Sequence, residues 1–383
     1  MLEIKAPLSI PNGQLAIVAL DSIGELGKKI DSSLVKCRKN MVNKEDVYLE
    51  VKDSYLIGSD TIRFSNGEGK VVIEDTVRGK DVYILCDVGN YGCTYKMFGH
   101  INHKSPDDHF QDIKRVLSAM GGKAKRITVV MPLLYASRQH RRKSRESLDC
   151  AMALQELERL GVDDIVTFDV HDPNVQNAIP LISFDNLYPT YEIVKAFLTK
   201  EEDLSINKDN MLVISPDTGA MDRAIYYSGV LGLDIGLFYK RRDYSTVVNG
   251  KNPIIQHEYI GREVAGQNIL IVDDMIASGE SVFDIVRELK KRKAEKIFVS
   301  ATFALFTEGI EKFDKYYEEG LIERVYSTNL TYIPEEVKTK PWFREVDMSN
   351  FIAEVINNLN LDESIAPLLD ATESINKLLE NRK

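Results

Sequence analysis

The chain has 383 residues, 44% of them hydrophobic and 28% charged, with a formal net charge of −10. That length exceeds one typical core and predicts about two domains with appendages, while the acidic balance argues against nucleic acid or an anionic membrane surface as the main partner. No apolar stretch approaches the roughly 20 residues that span a bilayer, MLEIKAPLSI lacks the basic-then-apolar form of a signal segment, and Cys37, Cys86, Cys93 and Cys150 have no paired metal spacing, so reduced thiols in a cytoplasmic protein are expected.

In the first half, apolar runs at 82–86, 127–131 and 165–168 read as strands, and a helical pattern spans 147–160. His100, His103 and His109, in GHINHKSPDDHF, suggest a metal site only weakly: no cysteine or spaced carboxylate completes the set, and histidines three apart are common on a solvated helix side. Lys123, Lys125 and Arg126 precede a strand and are expected to form a solvated turn. A proline-containing turn at 185–189 marks a junction. In the second half the same grammar returns, with strands predicted at 211–215, 235–239, 269–272 and 297–304. Both halves therefore read as parallel-sheet domains. Helical spacing recurs late in the chain, first at Phe351, Ile352, Val355, Ile356 and Leu359, then at Leu368, Leu369, Ile375, Leu378 and Leu379.

The segment NILIVDDMIASGES, 268–281, carries the most chemistry. Four apolar residues run into Asp273 and Asp274, then Ala277, Ser278 and Gly279 form a short loop, and Val282, Ile285, Val286 and Leu289 recur at i, i+3, i+4 and i+7. Strand, loop, helix and the next strand make a βαβ unit. Small residues at a helix start let backbone N–H groups approach a phosphate, with Ser278 and Ser281 as additional donors. Carboxylates at the strand end can accept from sugar hydroxyls. A phosphorylated ribose is the implied ligand; an acidic strand end that merely caps a helix is the plainer alternative.

VDDMIASGES resembles the loop shared by type I phosphoribosyltransferases and the ribose-phosphate pyrophosphokinases, which make phosphoribosyl pyrophosphate (PRPP). IRFSNGEGKVVIEDTVRGKDVYIL, RITVVMPLLYASRQ, TFDVHDPNVQ, FDNLYPT, VISPDTGAMDRA and FYKRRD each resemble pyrophosphokinase segments, in that family's order. The likeness runs from about Leu15 to Leu359, with segments 37–60 and 87–112 expanded as surface loops or added helices. It implies an α/β fold of two phosphoribosyltransferase-like domains, each a parallel sheet flanked by helices: an ATP-binding domain at 1–187, a ribose 5-phosphate domain at 188–345 and a helical tail at 346–383.

The resemblance also implies the reaction, transfer of the diphosphoryl group of ATP to the anomeric hydroxyl of ribose 5-phosphate, giving PRPP and AMP for nucleotide biosynthesis. Lys240 and Arg242, in KRRD just past an apolar strand and before a polar loop at 243–251, match the family's catalytic pair. Asp273, Asp274, Ala277, Ser278, Gly279, Glu280 and Ser281 match the ribose 5-phosphate loop. Phe64, Asn66 and Glu68 match a hairpin that reaches the ATP of a neighbouring subunit, so a homo-oligomer with a shared nucleotide site is implied; Arg138, Gln139 and His140 fall where the family contacts ATP. Mg²⁺ is the implied cofactor, contacted at His171 and Asp217. Three residues depart from the pattern. Asn66 and His140 stand where aspartates are usual, and Glu280 places an anion near the expected phosphate, so its side chain must point away. The departures motivate a regulatory, non-catalytic homologue as the alternative, and the ASGES loop motivates a phosphoribosyltransferase.

Overall fold

Gln14–Ala19 (β1), buried along most of its length, opens a five-stranded sheet in a computed structural model that describes residues 10–42, 49–142, 144–242 and 254–381, with 240–242 and 254–257 described as backbone only. There follow α1 (Gly24–Val42), the antiparallel pair β2 (Ser59–Arg63) and β3 (Gly69–Ile73), and β4 (Lys80–Leu85). A second antiparallel pair, β5 (Thr94–Met97) and β6 (His100–His103), precedes α2 (Pro106–Met120), β7 (Arg126–Val130), α3 (Asp149–Arg159), β8 (Asp164–Phe168) and β9 (Ser183–Leu187). The sheet order is β1-β4-β7-β8-β9, parallel throughout. Its strands β1, β4, β7 and β8 read as largely apolar runs because both faces are covered, whereas the edge strand β9, SFDNL, is only partly buried.

The chain then forms α4 (Thr190–Lys200), β10 (Met211–Ser215), α5 (Met221–Leu231), β11 (Asp234–Arg242), β12 (Ile254–Ile260), β13 (Asn268–Ile276), α6 (Glu280–Lys291) and β14 (Ile297–Ala304). After these come α7 (Glu311–Glu318), β15 (Arg324–Thr328), α8 (Glu335–Lys338), β16 (Phe343–Val346), α9 (Ser349–Asn360), α10 (Ala366–Leu369) and α11 (Thr372–Glu380). The second sheet runs β12-β11-β10-β13-β14-β15-β16, parallel except for the β11–β12 edge pair. β14 is interior and buried at every residue. Against the sheet α6 buries Val282, Phe283, Ile285, Val286 and Leu289, the stripe its spacing predicts.

Two compact units result. One holds the chain up to Tyr188 together with Leu330–Tyr332 and Asp347–Asp370; the other holds Pro189–Asn329, Ile333–Val346 and the chain from Ala371 onward. The late helical segments are therefore divided: α9 packs on α1, burying Ile352, Val355 and Ile356, while α11 packs on α4 and α5 through Ile375. Arg38 of α1, only 2% exposed, donates to Asn357 Oδ1 at 3.0 Å and Asn360 Oδ1 at 2.5 Å.

Some expectations need correction. Segment 87–112 is neither a loop nor only helix: it builds β5, β6 and the start of α2. His100 and His103 lie on a strand rather than a helix side, and His109 is buried with Nε2 2.8 Å from the Asn90 carbonyl. Arg126 is not in a solvated turn. It opens β7 and donates to Asp81 at 2.9 and 2.8 Å, because the buried Asp81 carboxylate on the adjacent strand β4 must be paired, and Tyr83 and Asn360 supply its remaining donors. In segment 37–60, α1 continues to Val42; residues 43–48 lie outside the described ones.

Asp164 opens β8 and is buried. Burial first, and then the neighbouring Asp185 carboxylate, push its carboxyl up to about 7. The folded protein thus keeps a proton that the unfolded chain releases near its usual carboxylate range, so this site costs nothing in acid and stability falls as pH rises through that window towards 7. The wild-type urea midpoint should drop between pH 5 and pH 8, and Asp164→Asn, neutral throughout, should drop less; an equal drop would remove Asp164 as a source.

Candidate active site

The acidic pair sits inside β13 rather than beyond it, since the strand continues to Ile276. Asp273 Oδ1 accepts from the Asp274 amide at 2.9 Å, and Asp274 Oδ1 accepts from the Met275 amide at 2.9 Å. Asp274 is buried and Asp273 partly so. Burial, followed by the charge of Asp274, holds the Asp273 carboxyl above the usual carboxylate range; Arg223 opposes the rise and Asp217 adds to it. Asp217, Asp273, Asp274 and Arg223 therefore share one field. Asp217 also caps the short turn Thr218–Ala220, accepting from the Gly219 amide at 2.8 Å and the Ala220 amide at 3.3 Å.

Ala277, Ser278 and Gly279 lead directly into α6. Gly279 takes φ +83°, and a Cβ there would lie 2.8 Å from the Phe313 ring, so only glycine fits this approach of backbone to core. The amides of a first helical turn point away from the helix body and can meet an anion. Ser278 Oγ accepts from the Glu280 amide at 3.4 Å. Glu280 is ion-paired with Lys312 of α7, a partner that draws its carboxylate to a neighbouring helix and offsets its charge. The chemistry of this set is oxygen donors and a negative field beside an anion-binding turn, which fits a sugar phosphate and a hard cation such as Mg²⁺. Among the described residues no three His, Cys, Asp or Glu side chains converge on one metal position. A cation would complete its shell from ligand oxygens and water.

Lys240 and Arg242 are in β11 itself, where KRR extends the strand instead of following it. The backbone pairs Lys240 with His257 and Arg242 with Ile254, with a register shift between Arg241 and Arg242. The polar loop expected at 243–251 lies outside the described residues.

In the first unit, Phe64–Glu68 turns between β2 and β3. The Phe64 amide donates to the Glu68 carbonyl at 2.8 Å, and Asn66 bridges the turn, its Nδ2 donating to Glu68 Oε2 at 2.9 Å and its Oδ1 accepting from the Glu68 amide at 3.1 Å. Phe64 is 49% exposed and is no core aromatic. Arg138 and Gln139 are exposed beyond β7, and His140 is partly buried. The structure brings His140 to the end of β8: its Nε2 is 3.4 Å from Asp172 Oδ2, and its ring centroid is 5.4 Å from that of His171. Burial works against the Asp172 carboxylate, yet donation from Asn174 and the nearby His140 and Arg141 hold it below the usual range. Sequence reasoning missed Asp172 and Arg223. A DPN turn was the one signal for Asp172, and Arg223 stood only as the basic residue of GAMDRA.

Residues 15–161 match the family described as the N-terminal domain of ribose phosphate pyrophosphokinase, and residues 183–335 match the phosphoribosyl transferase domain. The chain is 30% identical over 297 residues to a ribose-phosphate pyrophosphokinase of Mycoplasma pneumoniae, covering 76% of this chain and 82% of that one. It is 29% identical over 327 residues to the enzyme of the same name from Pasteurella multocida, covering 85% and 93%. Its fold matches the crystal structure of phosphoribosylpyrophosphate synthetase from Mycobacterium smegmatis with a TM-score of 0.69 and 20% identity, over 90% of this chain and 98% of that one.

Proposed function

The chain belongs to the ribose-phosphate pyrophosphokinase family of enzymes, and from that premise we propose that it transfers the β,γ-diphosphoryl group of ATP to the anomeric hydroxyl of ribose 5-phosphate. The hydroxyl oxygen forms the new bond to the β-phosphorus, the bond from that phosphorus to the α-phosphate bridge breaks, AMP leaves, and the hydroxyl proton goes to solvent or a basic group. The observation that carries the reading is the β13–α6 junction, where two fixed carboxylates precede a glycine-dependent turn at a helix start.

Ala277, Ser278, Gly279 and Ser281 cradle the 5-phosphate, and Asp273 and Asp274 accept from the ribose hydroxyls. Phe64, Asn66, Glu68, Arg138, Gln139 and His140 take the nucleotide, and Lys240 and Arg242 meet the charge that develops on the moving group. His171 and Asp217 would hold Mg²⁺, which supplies charge neutralisation to the polyphosphate when bound. The exposed Phe64 turn supports a homo-oligomer that shares the nucleotide site between subunits. Of the departures that motivated a regulatory homologue, Glu280 is paired with Lys312 and His140 with Asp172.

A phosphorus NMR time course with ATP, Mg²⁺ and ribose 5-phosphate should show AMP and PRPP rising together; well-folded protein that forms neither overturns the activity. Within that reading, Asp274→Asn should raise the KM for ribose 5-phosphate about tenfold by weakening a charge-assisted hydrogen bond. Were only the ATP requirement to move, the sugar would be misplaced.

A further inference from the structure

Two hairpins meet at their tips in the first unit. Phe98 and Gly99, which close β5–β6, both have positive φ, 47° and 84°. Such two-residue turns normally carry Asn-Gly or Gly-Gly, and a bulky residue at positive φ is an outlier. Nothing buries the Phe98 ring, which is 75% exposed. Its backbone, however, is engaged: the Phe98 amide donates to the Ser65 carbonyl at 2.9 Å, inside the Phe64–Glu68 turn. Beside it, Met97 fills the space in front of Gly67, its Sδ 2.5 Å from where a Cβ would stand. Further back, the Arg63 guanidinium lies 5.0 Å over the Tyr95 ring while pairing with Asp108 at 3.1 Å and Asp112 at 3.4 Å on α2.

The base of β5–β6 is fixed to the same carboxylate. The Lys104 amide donates to the Cys93 carbonyl at 2.8 Å, and Lys104 Nζ reaches Asp112 at 3.1 Å. A two-stranded ribbon such as β2–β3 is marginal alone. Here its turn is braced from Asp112 outward by a second ribbon.

We propose that the β5–β6 hairpin is a positioning element for nucleotide binding, with Tyr95, Met97 and the Phe98 amide holding the Phe64–Glu68 turn in the form that receives the adenine nucleotide. The inference depends on the assignment of that turn to the nucleotide. The backbone outlier at Phe98 then has a reason: the turn geometry that strains it also aims its amide at Ser65.

The test is a double-mutant cycle in the full chain, with Phe64→Ala, Met97→Ala and the pair, reading KM for both substrates and hydrogen exchange of the amides at 64–68. Met97→Ala should raise the KM for ATP about tenfold, keep that for ribose 5-phosphate within about twofold, and speed exchange at the turn. The double variant should exceed Phe64→Ala by far less than that factor, since a misplaced turn has no ring left to misplace. If Phe64→Ala raises the KM for ATP and Met97→Ala does not, the positioning role is overturned while the nucleotide assignment stands. If Phe64→Ala changes nothing, that assignment falls and takes the proposal with it. Equal rises for both substrates would also overturn it, by exposing a general loss of structure. Should Met97→Ala fail to fold, Tyr95→Leu runs the same cycle.

Discussion

Lys240→Ala should lower kcat about 100-fold or more while the KM for each substrate moves only a few-fold. The group that moves carries several negative charges, and its charge is redistributed towards the attacking and leaving oxygens only at the transition state, so a cation placed there acts mainly on kcat. Under the proposed function Lys240 works from a strand. Its backbone is paired to His257 within a strand, not left in a connecting segment, and a donor on a regular element loses less freedom when it meets its ligand. Lys240→Arg should recover part of the rate, since charge is kept and geometry is not. Steady-state kinetics with both substrates decide the matter: an unchanged kcat in Lys240→Ala removes this residue from the chemistry.

Gly279→Ala should destabilise the protein by roughly 2 to 4 kcal/mol, combining left-handed backbone strain with overpacking. The added Cβ would lie 2.8 Å from Phe313 and 3.0 Å from Phe283. Those rings cannot yield easily, because Phe283 and Phe313 have centroids 4.6 Å apart and Phe313 also stacks on Trp342 at 5.3 Å. Gly266→Ala is the control: φ is +70° there, with nothing within 4 Å of the added atom, so it should cost only the backbone term of about 1 to 2 kcal/mol. Urea denaturation of the two variants separates strain from clash. Equal losses would show that the aromatic cluster opens freely; retained protein with a raised KM for ribose 5-phosphate would place the damage in the phosphate turn.

What the sequence made legible follows from how local each signal is. β10 and β14 begin and end where their largely apolar runs do, because strands buried on both faces carry no charge and only small hydroxyls such as Ser215, Ser300 and Thr302. The acidic pair and its glycine loop were equally plain, since all the chemistry lies within nine successive residues of one βαβ unit, from Asp273 to Ser281. β5 and β6 were not visible: TYKM and HINH are largely exposed, and their pairing is set by a turn whose first residue, Phe98, gives no turn signal. β11 was cut short because Lys240, Arg241 and Arg242 lie past its apolar run, although the end of β11 beyond its pairing with β10 tolerates charge. The His140–Asp172 and Arg223–Asp273 relations join residues from separate elements. No periodicity within either segment points to the other.

The first unit contains α9, and α9 is built from residues 349–360. During synthesis the ribosome delivers Gln14–Leu187 long before the helix that covers α1. Until then the face of α1 that α9 covers has no partner, and Arg38 lacks the Asn357 and Asn360 oxygens it binds in the finished fold. The N-terminal half is therefore the first to be begun yet waits for most of the chain before it is complete, and meanwhile the α1 face that α9 covers is left for chaperones to shield. A messenger truncated after the codon for Tyr188 encodes a first unit without α9.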